Sequence, residues 1–167
     1  FLRSVVYMVA HDSEGAMGFI INKCAEGLSL GDILKDVPES VAKTGLVNLP
    51  VYVGGPVQND RGFVLHTSDY EKTHNTLSQE LPIALTQSAD VLVDAAHGRG
   101  PEKMRLFLGY AGWGQGQIEG ELQDNAWLVC DANIAEIFTS QSDDLYEKCV
   151  AAMGIDLALL SNEGGEA

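Results

Sequence analysis

The feature that most narrows what this chain can become is the stretch Met104 to Leu122, MRLFLGYAGWGQGQIEGEL. Met104, Leu106 and Leu108 recur with the two-residue period of a strand. The run then meets a glycine-dense stretch, Gly109 to Gly116, that holds Tyr110 and Trp113. Beyond it Ile118 and Leu122 lie four apart, as on the apolar side of a helix. The stretch reads as strand, tight turn, helix. Such a unit belongs in a sheet with helices packed against it.

The flanking segments supply the other elements. RSVVYMVAH (3 to 11) and MGFIINK (17 to 23) are rich in β-branched and aromatic residues, and the acidic, glycine-bearing turn at 12 to 15 joins them into an expected β-hairpin. Val51 to Val53 and GFVLHT (62 to 67) read as a second hairpin, linked by Gly54, Gly55 and Pro56 and a polar turn of Gln58, Asn59 and Asp60. In that pair Phe63 and Leu65 share one face, Val64 and His66 the other. Leu81 to Leu85 resumes strand character, with Pro82 tolerable at an edge or a strand start, and AWLVCD (126 to 131) reads as a last strand.

Helix signals are more local. Ser29 and Asp32 have capping-box spacing ahead of Leu30, Ile33, Leu34 and Val37, so a helix is expected that ends before Pro38. Residues 88 to 97 fit a helix or a buried strand, with Ser88 and the alanines favouring a helix that Gly98 would end, and 132 to 139 read as a short helix. From Ser142 a clearer helix places Leu145, Cys149 and Met153 on one stripe and stops at Gly154. Residues 38 to 50 read as a connector, 70 to 80 as an exposed polar loop and 161 to 167 as a flexible tail. The expected fold is α+β, or mixed α/β: a single domain over 1–167 with a mixed, largely antiparallel sheet, barrel-like closure being one form of it, and helices packed outside. A chain of 167 residues can bury a core of its own without disulfides or metal.

Charge removes some functions. With 24 acidic against 10 basic residues the net charge is −14, and a field of that sign repels phosphate backbones, so direct nucleic-acid binding is disfavoured. No apolar run reaches the roughly 20 residues of a membrane span. Cys24, Cys130 and Cys149 are too widely spaced for a disulfide framework or a CxxC site. A reduced, cytoplasmic compartment is the expectation. Cys130 and Cys149 read as inert core thiols and Cys24 as the reachable one.

His11, His66, His74 and His97 fall at no metal-ligand spacing, and no metal or cofactor is expected. Neither GxSxG nor a Walker sequence occurs. Gly112, Gly114 and Gly116 follow a strand and open a helix, as phosphate-cradling loops do, but a dinucleotide fingerprint needs glycine where Gln117 stands, and Trp113 puts bulk where the backbone must come close. A tight turn beside an aromatic anchor is the plainer explanation. Gly54, Gly55 and Pro56 likewise suggest a bulge or a close backbone approach. The candidate cleft joins these clusters with polar neighbours: Asn22, Gly54, Gly55, Pro56, Arg61, His66, Tyr110, Gly112, Trp113, Gly114 and Gln117.

Taken together, RSVVYMVAHDSEGAMGFIINK, VYVGGPVQNDRGFVLH, LGYAGWGQGQIEGEL, NAWLV and MGIDLALLS resemble, in order through nearly the whole chain, the YqgE/AlgH family of bacterial proteins. The resemblance implies a single mixed α/β domain, cytosolic and bacterial, with no established biochemical activity. Members are often labelled transcriptional regulators. The family usually begins with a further strand, and Phe1 opens in mid-pattern, so that strand is expected to be missing here. Where members often carry Cys this chain has Val9, and where they carry Pro it has Cys24, which weakens any thiol mechanism carried over. Three functional readings follow, in order: a regulatory or small-ligand-binding domain, or one with a protein partner; an enzyme using a cleft near Gly54–Pro56 and Gly109–Gly116; and a regulator acting directly on DNA.

Overall fold

The computed structural model describes residues 2–34, 38–70, 76–80, 83–139 and 142–155, with the side chains of 76–80, 139, 142 and 143 left aside. The expected tail, 161–167, lies outside these. The first two strands, β1 (Val6–Asp12) and β2 (Gly15–Ile20), form the expected antiparallel hairpin, with Val6 opposite Ile20 and Asp12 opposite Gly15. β3 (Cys24–Ser29) runs into α1 (Leu30–Ile33), which starts at the expected capping box: the Asp32 carboxylate accepts from the Ser29 backbone N–H at 2.9 Å and from its hydroxyl at 3.0 Å. The helix is a single turn, because Leu34 already takes an extended conformation. The connector 38 to 50 contains a further turn of helix, α2 (Glu39–Ala42), and a 3-10 turn (Gly45–Asn48).

The remaining elements are β4 (Pro50–Val53), β5 (Val57–Thr67), β6 (Thr76–Glu80), β7 (Ile83–Thr86), α3 (Asp90–Ala96), β8 (Met104–Gly114), α4 (Gln117–Gln123), α5 (Ile134–Thr139) and α6 (Ser142–Ala152). Eight strands form one sheet in the order β1-β2-β8-β5-β7-β6, with β4 also on β8 and β3 on β4. All described pairs are antiparallel except β4 with β8. The sheet is open: among the described residues β1 and β6 do not pair, so it does not close into a barrel.

Strand β8 is the axis. One of its edges carries β5 along Met104–Leu108, while the other carries β4 at Leu106–Leu108 and then β2 at Ala111–Gly114. The handover between β4 and β2 falls at Gly109, whose φ of +68° bends the strand. Four sequence readings are corrected here. The glycine-dense stretch is the second half of an eleven-residue strand, not a turn; the turn is confined to Gln115 and Gly116. β4 and β5 are not a hairpin, because β8 lies between them. The polar turn 58 to 60 belongs to β5 as a bulge, with Gln58 at φ +47°. Finally, the supposed loop 70 to 80 supplies β6, which pairs with β7.

Two cores flank the sheet. Phe19, Phe63, Leu65, Leu85 and Phe107 pack on one face with Ile137 of α5 and Leu145 of α6. Val64, Leu106 and Tyr70 pack on the other with Leu30, Val41, Val91 and Leu92 from α1, α2 and α3. The alternation of Phe63 and Leu65 against Val64 thus divides as the strand period requires. Because both faces are covered, Phe63 to His66 are all buried. Gly98 at φ +73° and Gly154 at φ +76° end α3 and α6 where the sequence places their stops.

AWLVCD is not a strand: residues 126–133 are irregular, with Leu128 59% and Val129 73% exposed. Strand-forming residues make a strand only where an edge is free to pair with them, and among the described pairs none reaches this segment. Cys130 is consequently exposed rather than in a core.

Candidate functional site

The eleven residues of the expected cleft fall into separate places. Asn22 anchors the segment before β1: its Oδ1 accepts from the Val5 N–H at 2.8 Å and its Nδ2 donates to the Arg3 carbonyl at 2.9 Å. Arg61 is exposed on β5. His66 is wholly buried, with Nδ1–H donating to the Thr67 carbonyl at 2.8 Å and Nε2 accepting from the Thr86 hydroxyl at 2.7 Å. The Thr67 carbonyl can only accept, which places a proton on Nδ1, and burial pushes the pKa below 6.5 against the opposing pull of the Thr67 bond and the Asp69 charge. Among the described contacts, none joins Asn22, Arg61, His66 and Gln117. A strand fixes which way each side chain points, and proximity in sequence does not bring His66 out of the core.

Gly54 and Gly55 form a seam with Gly109. A Cβ on Gly54 would stand 2.3 Å from the Gly109 carbonyl oxygen, and one on Gly55 would stand 2.2 Å from the Tyr110 carbonyl. Backbone passes against backbone there, and no side chain fits. Pro56, next to it, is exposed. Tyr110 sets its ring edge-on to Phe63 at 5.7 Å, completing the core rather than lining a cleft.

Around the far end of β8 the structure builds a polar cluster centred on Glu121, which the sequence reading did not single out. Its Oε2 accepts from the indole N–H of Trp113 at 3.0 Å and of Trp127 at 2.7 Å, and its Oε1 accepts from Gln117 Nε2 at 3.1 Å. Three donors, that of Trp127 first, hold this carboxyl below its usual range. The two indoles meet edge to face at 6.0 Å. Gln117 Oε1 also accepts the Gly114 N–H at 3.0 Å, tying the end of β8 to the start of α4, while Gly112 is an exposed strand residue. Beside the cluster Glu119 pairs with His11 at 2.6 Å, a bond that lowers the Glu119 pKa. Trp113 is buried, as its place between small residues suggests. The spacing of Gln117 and Glu121, i and i+4 on one helix, is the signal in the sequence that could have found this cluster.

Among the described residues, an opening able to admit a molecule lies elsewhere, between α1, β5, α3 and β8. A cavity of about 380 Å³ is floored by Leu30, Ile33 and Leu34 of α1 and its end, Val64, Leu92, Leu106 and Leu108. Its polar rim is Asn59 and Asp60 from the β5 bulge and Gln87 and Ser88 from the approach to α3. Gly62 also lines it, and a Cβ added there would meet only Leu106 Cδ1, at 3.9 Å. The described lining holds one acid and no Lys, Arg or His. An apolar floor with a few polar groups and a volume in the range of several hundred Å³ is what small-molecule sites have in common. Sequence reasoning missed it because its walls come from four distant segments, although the apolar stripe Leu30, Ile33, Leu34 and the alternation Leu106, Leu108 were legible. Among the described residues no three His, Cys, Asp or Glu side chains converge to hold a metal, and no helix is long and apolar enough to cross a membrane.

Comparison with known proteins gives a consistent result. A family model described as AlgH-like matches residues 1–158. A UPF0301 protein of Afipia carboxidovorans is 42% identical over 174 residues, spanning 100% of this chain and 82% of that protein. One from Pseudomonas aeruginosa is 42% identical over 168 residues, spanning 100% and 87%. The solution structure of the AlgH protein from Pseudomonas aeruginosa superposes with a TM-score of 0.78 at 41% identity, covering 98% of this chain and 86% of that one. A crystal structure from Corynebacterium diphtheriae, at 17% identity and a TM-score of 0.68, shares the fold.

Proposed function

This chain belongs to the AlgH-like family, whose biochemical function is uncharacterised, and on that premise we propose that it is a small-ligand-binding domain with a regulatory role. The observation that carries the reading is the cavity between α1, β5, α3 and β8, with its apolar floor and its rim of Asn59, Asp60, Gln87 and Ser88. Asp60 and the net charge of −14 select against anions. The ligand class is therefore a neutral or cationic molecule with an apolar body and hydrogen-bond donors at one end. Binding is favoured over turnover because Ser88, the hydroxyl at the rim, has no His, Lys or Cys beside it among the described lining residues. Direct DNA recognition is disfavoured by the same charge. A cytoplasmic setting, in which the three cysteines stay reduced, is part of the proposal.

The test is thermal-shift screening of the purified chain against metabolites, followed by two variants. Gly62→Leu should fill the cavity with little strain, since a Cβ there meets only Leu106 at ordinary contact distance, and it should abolish the shift given by a true ligand. Asp60→Asn should weaken a cationic ligand selectively. Ligand stabilisation that survives Gly62→Leu would place binding outside this cavity and end the proposal.

A further inference from the structure

A buried polar chain runs beneath the cavity. Val64 of the cavity floor stands opposite Thr86 in the register of β5 with β7, and Thr86 is followed directly by Gln87 and Ser88 of the rim. Opposite residues of an antiparallel pair share a face, and so do residues two apart on one strand, so Thr86 and His66 lie on the same side of the sheet as Val64. Both are buried, with the Thr86 hydroxyl 2.7 Å from His66 Nε2 and the Nδ1–H donating to the Thr67 carbonyl at 2.8 Å. The imidazole also meets the Tyr70 ring edge-on at 5.5 Å, and the Tyr70 hydroxyl donates to Asp94 Oδ2 at 2.6 Å. Asp94 belongs to α3, two residues beyond Leu92 of the floor. One imidazole is thereby linked to both elements that flank the rim residues Gln87 and Ser88: directly to β7, and through Tyr70 to α3.

We infer that this chain makes the cavity proton-sensitive, a property that rests on ligand binding there as proposed above: neutral His66 holds the rim in its binding form, and protonation of His66 releases the ligand. The cause is a hydrogen bond that must reverse. With a proton already on Nδ1, the neutral ring accepts at Nε2 and the Thr86 hydroxyl donates. The imidazolium carries a proton on both nitrogens, so Thr86 must accept and turn its own hydrogen elsewhere. Thr86 has a stiff, β-branched side chain one residue from Gln87, and its adjustment is passed to the rim. A buried positive charge beneath the floor also repels a cationic ligand.

Few charged groups face the imidazole among the described residues. The turn after β5 brings Asp69 and Tyr70, and α3 brings Asp94 behind the Tyr70 hydroxyl, with Asp90 one turn earlier. β7 (Ile83–Thr86) carries no charged side chain. On β8, Met104 stands opposite His66, Lys103 meets Thr67 through its backbone carbonyl, and the Arg105 guanidinium lies over Tyr52 at 4.3 Å. Burial opposes the proton, while the Thr67 bond and the Asp69 charge favour it; burial is the larger effect, so titration falls below pH 6.5. Affinity is therefore complete above pH 6.5 and declines as the pH falls toward the folded value. Linkage requires the reciprocal, that a bound ligand lowers the His66 pKa by the same factor.

The experiment follows the fluorescence of N-phenyl-1-naphthylamine, a neutral probe with an apolar body and one N–H donor, titrated with the full chain between pH 8 and pH 5. Its dissociation constant should rise as the pH falls below 6.5, by roughly tenfold per pH unit at the steepest for one proton. His66→Gln, checked for folding by circular dichroism, should bind the probe with one affinity across the range. Thr86→Val, of nearly the same shape, should also flatten the profile while the His66 ring still titrates by NMR, because no hydroxyl bond is left to reverse. Probe binding that Gly62→Leu abolishes but that stays constant from pH 8 to pH 5 would overturn the switch and leave the cavity reading intact. So would a pH profile that survives unchanged in His66→Gln or Thr86→Val, or no probe binding at any pH. Probe binding that persists in Gly62→Leu would overturn the cavity reading and the switch with it.

Discussion

Replacing Gly109 by Ala tests the idea that β8 is organised by the seam it shares with Gly54 and Gly55. Two costs add. Gly109 has φ +68°, a conformation that costs an L-residue roughly 1–2 kcal/mol. The new methyl would also stand 2.4 Å from the Gly55 carbonyl oxygen, 2.9 Å from that of Val57 and 3.0 Å from Asn59 Cα. All three are backbone atoms, so no side chain can swing aside. Reaching ordinary carbon contact requires the strands to part by about 1 Å, and overpacking of that kind costs about 1–3 kcal/mol. The expected loss is about 2–5 kcal/mol, a large fraction of the roughly 5–15 kcal/mol that holds a domain together. Urea unfolding followed by circular dichroism measures it as a lower midpoint at unchanged slope. Gly120→Ala is the control, because a Cβ on this α4 residue meets nothing within 4 Å, and a helix-interior alanine should stabilise by about 0.5–1 kcal/mol. A Gly109→Ala midpoint within error of the parent's would refute the seam.

Trp113→Ala removes a buried ring and one donor to Glu121 and should cost about 3–5 kcal/mol; an unchanged melting temperature would mark the ring as surface. Tyr70→Phe removes the hydroxyl that donates to Asp94 Oδ2 at 2.6 Å between two buried residues, and its unfolding free energy should fall by about 1.5–3 kcal/mol, whereas no change would mean that other partners satisfy Asp94. His66 gives a pH dependence. Its folded pKa lies below the unfolded value of 6.5, so its contribution is complete above pH 6.5 and declines as the pH falls from there toward the folded value, by at most about 1.4 kcal/mol per unit for one proton. The slope of stability between pH 7 and 5 should be shallower in His66→Gln; an identical slope would remove His66 as the source.

What could be read from the sequence shares one property: it is decided within a few residues. The β1–β2 hairpin follows from two β-branched runs and an acidic turn with Gly15. The Ser29–Asp32 box, the stops at Gly98 and Gly154 and the alternation of Phe63, Val64 and Leu65 are equally local. Even the burial of Trp113 is foretold by its small neighbours. Such features depend on backbone conformation and side-chain period, which neighbours in the chain determine.

Tertiary structure alone decided which strand lies beside which. β8 lies between β4 and β5 because its first half, Met104–Leu108, pairs with both, one on each edge, and no local signal states which edge a strand will find. Gly54, Gly55 and Gly109 explain each other, across a seam between distant segments. AWLVCD has strand composition but no described edge to join, so Leu128, Val129 and Cys130 face solvent. The cavity, too, exists only once α1, β5, α3 and β8 enclose it. Pairing and enclosure are contacts between residues far apart in sequence, whose free energy is gained only after the chain has closed on itself.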